Sequence, residues 1–330
     1  MWNKLCTCFG NYGPIPRLLL EELLPPEEYA TEEVGDATGE DGSPLERLIT
    51  AYKLVLNQKI LELLRLEPDI ALSAKQYGVN SSHAIVMIRP RKMKRYNYVS
   101  DLPAFDIATS YIGQKIASAT VDNSLNAARK MYEFLLGQAE TKTSAGWIFE
   151  GRMHILFQRH GPFKATKLGG SKTIAIDISH KPCKDFSNLS ELGSMLRKGP
   201  GSPSIDPANI GVYFKPQHCN FCAVDSFAIT TDAKTNKLVL VLFQMTVSTS
   251  HPVKAHGLAS IWEGMPAELK KTPARLVFVV PVDAANKFSK QTTVPSTPNF
   301  DKWEQYVLPV SAENLWENTA PDCEVSASKG

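Results

Sequence analysis

Long apolar runs are missing from this 330-residue chain. The longest, LVLVLF at Leu238–Phe243, is far shorter than the roughly 20 residues a membrane helix needs. LLLEELL at Leu18–Leu24 is broken by two glutamates and followed by prolines, so it does not read as a signal peptide. A disulfide framework is also missing. Cys6 and Cys8 are too close to bridge easily, and Cys183, Cys219, Cys222 and Cys323 follow no regular spacing. A reducing compartment is the expectation, in the cytoplasm or nucleus. No GxxxxGK[ST], GxSxG, HExxH or post-strand GxGxxG occurs. ATP phosphate-loop, serine-hydrolase, zincin and dinucleotide chemistry therefore lack their usual signatures.

The charge is uneven. Residues 1–50 hold ten acidic and three basic side chains, leaving 33 basic and 24 acidic ones for the rest, a surplus of nine. A basic body behind an acidic leader suits a polyanionic partner such as nucleic acid. Residues 1–44 are rich in Glu, Gly, Pro and Thr and read as a disordered leader. Residues 45–140 read as mostly helical, opening with Ser43 as N-cap and Pro44 at the first helical position. A short strand is expected at Ile85–Ile88, before the basic run of Arg89, Arg91, Lys92, Lys94 and Arg95. That run is either a backbone-binding segment for nucleic acid or an ordinary solvated loop.

From residue 141 to 312 helix and strand patterns alternate, an α/β plan for one compact domain, with a disordered tail over 313–330. A helix is expected over Ala145–Arg159, strands over Thr173–Ser179, Ile210–Phe214, Cys222–Thr230, Lys237–Val247, Arg275–Val280 and Trp303–Val310, and helices over Leu189–Arg197 and Ala255–Lys271. FCAVDSFAIT and KLVLVLFQMTV, joined by a polar turn, read as a hairpin. Asp225 inside the first apolar run is costly unless a partner such as a divalent metal compensates its charge. A solvated edge-strand aspartate is the plainer alternative. Gln244 and Thr246 close the second run on one face.

Glu150 and His154 are four apart on the Ala145–Arg159 helix, either as a carboxylate reaching a metal or as a surface pair of small energetic weight. His251, Lys254 and His256 form a basic lip that either contacts phosphate or is solvated. His218, Cys219 and Cys222 fall short of four zinc ligands and read as strand-edge residues.

AGWIFEGRMHILF at Ala145–Phe157, VDSFAI at Val224–Ile229, FQMTVSTSHPVKAHGL at Phe243–Leu258, RLVFVVP at Arg275–Pro281 and WEQYVLPV at Trp303–Val310 carry a resemblance. In order and spacing they resemble the C-terminal nuclease-like domain of the Crinkler and retrotransposon-hot-spot (RHS) proteins. The helical part before them resembles the segment that follows an NTPase module in longer members.

The resemblance implies a restriction-endonuclease-like core of helix, mixed sheet and helix, with an Asp and an E/Q-x-K pair on adjacent strands. It implies Mg²⁺ or Mn²⁺ bound by Asp225, Glu150 and Gln244, and a nucleic-acid substrate. Members are often secreted into a host, which is the alternative localisation. Thr246 stands where the motif has lysine, so Lys254 or His251 is expected to hold phosphate or activate water. The two functions in play are a metal-dependent endonuclease and an inactive effector or interaction protein that keeps the fold.

If the basic run binds phosphates, removing Arg91, Lys92, Lys94 and Arg95 together weakens nucleic-acid affinity and flattens its salt dependence. An unchanged slope in a binding titration assigns the run to surface solvation.

Overall fold

The computed structural model describes residues 44–65, 86–91, 99–118, 122–159, 161–178, 182–217, 224–271, 274–294 and 303–317. Two compact units divide the chain, Met1–Ile148 and Phe149–Gly330. The acidic leader, Ser43, Lys92, Lys94, Arg95, His218, Cys219 and Cys222 lie outside the described residues, so the expectations placed on them find no structural counterpart. No helix among the described residues is long and apolar enough to cross a membrane.

The first unit holds α1 (Pro44–Leu63), β1 (Val86–Arg91), β2 (Val99–Ile107), α2 (Ser110–Ala117) and α3 (Asp122–Leu136). Helix α2 starts at Thr109, whose hydroxyl accepts from the Ile112 N–H at 3.3 Å, a side-chain cap. Strands β1 and β2 pair antiparallel, with Pro90 opposite Pro103. The helical reading of this region missed β2. Its VSDLPAFDI carries a proline and two aspartates, poor strand letters that a two-stranded ladder tolerates because each strand keeps a free edge. Arg89 and Arg91 belong to β1 and not to a loop.

Helix α4 (Lys142–Arg159) runs across the division between the units. The second unit continues with β3 (Phe163–Lys167), β4 (Thr173–Ile176), β5 (Lys184–Phe186), α5 (Leu189–Leu196), β6 (Tyr213–Pro216), β7 (Ser226–Thr231) and β8 (Leu238–Met245). It closes with β9 (Val253–Lys254), α6 (Ala255–Gly264), β10 (Arg275–Pro281), α7 (Val282–Ala285), β11 (Thr293–Val294), β12 (Glu304–Val310) and α8 (Ala312–Trp316). Eight strands form one mixed sheet in the order β4-β3-β12-β10-β8-β7-β6-β5. The α/β plan holds. Two short strands, β3 and β5, were not expected: FKATK is charged and KDF is three residues long. Ordered structure also passes the boundary expected at residue 312, because α8 buries Leu315 and Trp316.

Strand β8 is buried on both faces, as its unbroken apolar run requires of a central strand. Strand β7 pairs with it antiparallel, and β10 and then β12 follow in parallel. Leu240 and Leu242 pack with Leu258 and Ile261 of α6 and Leu192 and Leu196 of α5. On the other face Phe243 meets Phe157 of α4, ring centroids 4.6 Å apart, and Phe157 also contacts Tyr213 at 5.5 Å.

The turn between β7 and β8 sets the hairpin register. Asp232 Oδ1 accepts from the Lys234 and Thr235 N–H groups, each at 3.0 Å. Asn236 takes the left-handed backbone (φ 53°), which asparagine tolerates better than most residues. The other carboxylate oxygen of Asp232 binds Arg275 of β10, and these bonds hold its pKa well below the usual carboxylate range. The register that results pairs Ser226 with Phe243, and one step further sets Asp225 opposite Gln244.

Phe157 fills the space between α4 and the sheet. Phe157→Ala is expected to cost about 3–5 kcal/mol in urea denaturation. A loss under about 1 kcal/mol contradicts this packing.

Candidate functional site

Asp225 sits just before β7, partly shielded from solvent. Its Oδ2 accepts from the Met245 N–H at 2.5 Å and from the Gln244 side-chain amide at 2.9 Å. These two donors favour the carboxylate, but burial and the nearby charge of Glu150 oppose it more strongly. The outcome is a carboxyl pKa well above the ordinary value. Asp225 and Gln244 are thus in direct contact, and Glu150 is near enough for its charge to act on Asp225. The solvated edge-strand alternative for Asp225 does not hold.

Glu150 and His154 are not a surface pair either. Their side chains are 16% and 7% exposed, with His154 Nε2 at 3.5 Å from the Glu150 carboxylate. The other ring nitrogen, Nδ1, lies 2.7 Å from the Tyr213 hydroxyl. Burial lowers the His154 pKa to about 3, with Lys215 adding to the effect, so the ring is neutral at ordinary pH. A neutral imidazole has one donor and one acceptor. Nε2–H donating to Glu150 and Nδ1 accepting from Tyr213 satisfies both. Tyr213 is held neutral by burial, its pKa pushed well above the usual value.

Sequence reasoning had passed over Tyr213 and Ser226. Ser226 is fully buried on the same sheet face, with its hydroxyl as a hydrogen-bonding neighbour of Tyr213. The available signal was period two: Tyr213 and Lys215 in GVYFKP, and Ser226 after Asp225, alternate onto the face that α4 covers.

The other expected site residues lie elsewhere in their bonding. Thr246 is buried at 7% exposure, its hydroxyl accepting from the Ser248 N–H at 3.1 Å. It caps a turn. The His251 N–H donates to Gln291 Oε1 at 2.7 Å, and burial lowers the ring's pKa with Lys254 contributing. Lys254 is exposed on β9, and His256 is exposed at the start of α6. Neither His251 nor Lys254 figures among the groups that shift Asp225. The grouping of Lys254 and His251 with the carboxylates is thus not seen. Cys183 Sγ is 3.8 Å from Asp185 Oδ1, and burial raises the thiol's pKa to about 11, so it is a poor thiolate ligand.

No three His, Cys, Asp or Glu side chains among the described residues converge on a common point. No closed zinc-type site is built among the described residues. Asp225, with the charge of Glu150 nearby, is the donor type a hard divalent ion of the magnesium kind takes, one or two protein carboxylates with water and phosphate filling the shell. Gln244 turns its NH₂ toward Asp225, leaving its carbonyl oxygen as the free end. No family model matches the chain, and neither a curated protein nor a solved structure matches it.

The two buried groups have opposite pH signatures. Asp225, with its folded pKa raised, contributes its full stability below about pH 4 and loses it as pH rises through the folded value. His154, with its folded pKa depressed, contributes above about pH 6.5 and loses that contribution as pH falls toward the folded value of about 3. Asp225→Asn is therefore expected to gain stability over the parent between about pH 4 and pH 8. His154→Gln is expected to lose less than the parent on acidification. Urea denaturation across pH checks both, and parallel curves contradict the assignment.

Proposed function

We propose that this chain is a metal-dependent nuclease-like protein of the Crinkler/RHS type, with a restriction-endonuclease-like core, acting on DNA or RNA phosphodiesters. The observation that carries the reading is the pair of carboxylates, Glu150 and Asp225, close enough for one to raise the pKa of the other. Without a cation such an arrangement is costly, and with one it is a binding site. Supporting it, helix α4, the hairpin β7–β8, helix α6 and strand β10 follow one another around a mixed sheet. Asp225 and the Gln244-x-Thr246 segment lie on neighbouring strands of that sheet.

Asp225 and Glu150 would hold Mg²⁺ or Mn²⁺, with Gln244 supplying its amide oxygen. Bound there, the ion would offset charge developing on the phosphate and make hydroxide available near neutral pH. The chain's own residues do the positioning. Met245 N–H and Gln244 fix one oxygen of Asp225 and leave Oδ1 for the ion. The Tyr213–His154 pair orients Glu150 from behind, with no charge of its own to compete for the phosphate. A second reading, an inactive interaction protein, is favoured by Thr246, which puts a buried turn-capping hydroxyl where the motif has a cation.

Purified full-length chain is expected to nick plasmid or cut single strands with Mg²⁺ or Mn²⁺ and to stop with chelator. Asp225→Asn is expected to abolish cutting, and Glu150→Gln to slow it less. Absence of metal-dependent cutting by the parent with either ion selects the interaction protein.

A further inference from the structure

The segment that follows α7 is pinned at two points and exposed between them. Phe288 is buried, its ring 5.0 Å from that of Phe278 on β10. Phe278 is the register partner of Gln244 on β8. Gln244 follows Leu240 and Leu242 at period two, so it leaves the sheet on the face that α6 covers, beside Phe278. The second anchor is the buried Gln291. Its N–H donates to Gln305 Oε1 at 2.8 Å, and its carbonyl accepts from the Gln305 amide at 2.9 Å. The Gln291 side chain in turn accepts from the His251 N–H at 2.7 Å, and the Thr292 carbonyl accepts from the Val253 N–H at 3.1 Å. Strands β11 and β9 continue this alignment in parallel, Thr293 beside Val253 and Val294 beside Lys254.

This frame presents charge of one sign. Lys287, Ser289 and Lys290 are exposed on either side of Phe288, and Lys254 is exposed on β9. Continuing the register backwards sets Lys290 beside Ser250, about 13 Å along the strand direction from Lys254. Residues 246–262 hold no acidic side chain, and neither do residues 284–294. None of the three ammonium groups is ion-paired to a described residue. An ordinary solvated surface intersperses both signs. Here three uncompensated cations stand on two segments that buried amides hold side by side, which suits an anion carrying repeated charges.

We propose that Lys254, Lys287 and Lys290 form a docking surface for a nucleic-acid backbone, lying beside the Asp225–Gln244 contact and supplying no ligand to it. The inference rests on the nuclease-like reading for the identity of the polyanion. Lysines suit the task because each ammonium is a compact point charge on a flexible stem, able to follow a phosphate without a fixed fork geometry. Backbone contacts of this kind set where the strand lies and carry no base preference.

The test is binding of a fluorescent single-stranded DNA 20-mer to the full chain in chelator, across a salt series. The triple variant Lys254→Gln, Lys287→Gln, Lys290→Gln is expected to weaken binding and to lower the slope of log affinity against log salt by about 2. The triple arginine variant at the same positions is expected to keep the slope. A second triple variant, Lys198→Gln, Lys234→Gln, Lys237→Gln, removes the same charge from exposed lysines of the loop after α5 and the β7–β8 turn, and is expected to bind as the parent does. Parent-like slope in the first variant, or an equal loss in both glutamine variants, overturns the proposal. So does a parent that binds vesicles containing phosphatidylserine through these lysines and leaves the DNA unbound.

Cutting assays with Mg²⁺ separate this surface from the underlying reading. A parent that cuts, with the first glutamine variant as fast at substrate concentrations below saturation, overturns the surface and leaves the nuclease standing. A parent that never cuts but loses slope with that variant keeps the surface and removes the enzyme.

Discussion

A carboxyl whose pKa is raised by burial and by the charge of a nearby glutamate is the constraint on which this site depends. Asp225 has two N–H donors to favour its charge and a glutamate to oppose it, and the opposition wins with the help of burial. Left alone, such a pair costs stability at neutral pH, whereas hydrophobic residues of similar size at the same place would not. On the nuclease-like reading proposed above, such a pair would be a seat for positive charge. The neutral His154 and the neutral Tyr213 fit that account, since neither supplies the cation and each removes a polar group that would otherwise lie unsatisfied.

The seat is held in place from a distance. Asp225 meets Gln244 because the β7–β8 turn closes at one register, and a slip of one residue would send every side chain of β7 to the opposite face. Asp232 locks that turn through the N–H groups of Lys234 and Thr235, and Arg275 ties it to β10. The arginine is itself buried at 6% exposure, so losing Asp232 would strand its charge in the interior. Glu150 reaches the same place because Phe157, two turns further along α4, is packed among Phe163, Tyr213 and Phe243. Core packing at one end of the helix thus sets carboxylate geometry at the other.

Thr246 satisfies a local demand, the Ser248 N–H of the turn that follows. A lysine there would have to give up that bond and bury its ammonium.

Much of the layout was legible in the letters. Alternation and the polar turn defined the β7–β8 hairpin, with Asp225 and Gln244 on it, and the apolar stripe of Phe149, Met153 and Leu156 defined helix α4. These signals are local, set by backbone periodicity and turn chemistry, and a single chain carries them. The burial of Glu150 and His154 and the meeting of His154 with Tyr213 were not legible. A solvated i,i+4 pair and a buried one have the same spacing. Strands β3 and β5 escaped for a related reason: charged letters become strand only when a neighbouring strand offers its N–H and C=O groups. The sequence by itself determined which residues alternate, turn and cap, whereas only the tertiary structure decided which of them share a dry pocket, because burial and charge coupling arise between segments that the chain brings together only once it has folded.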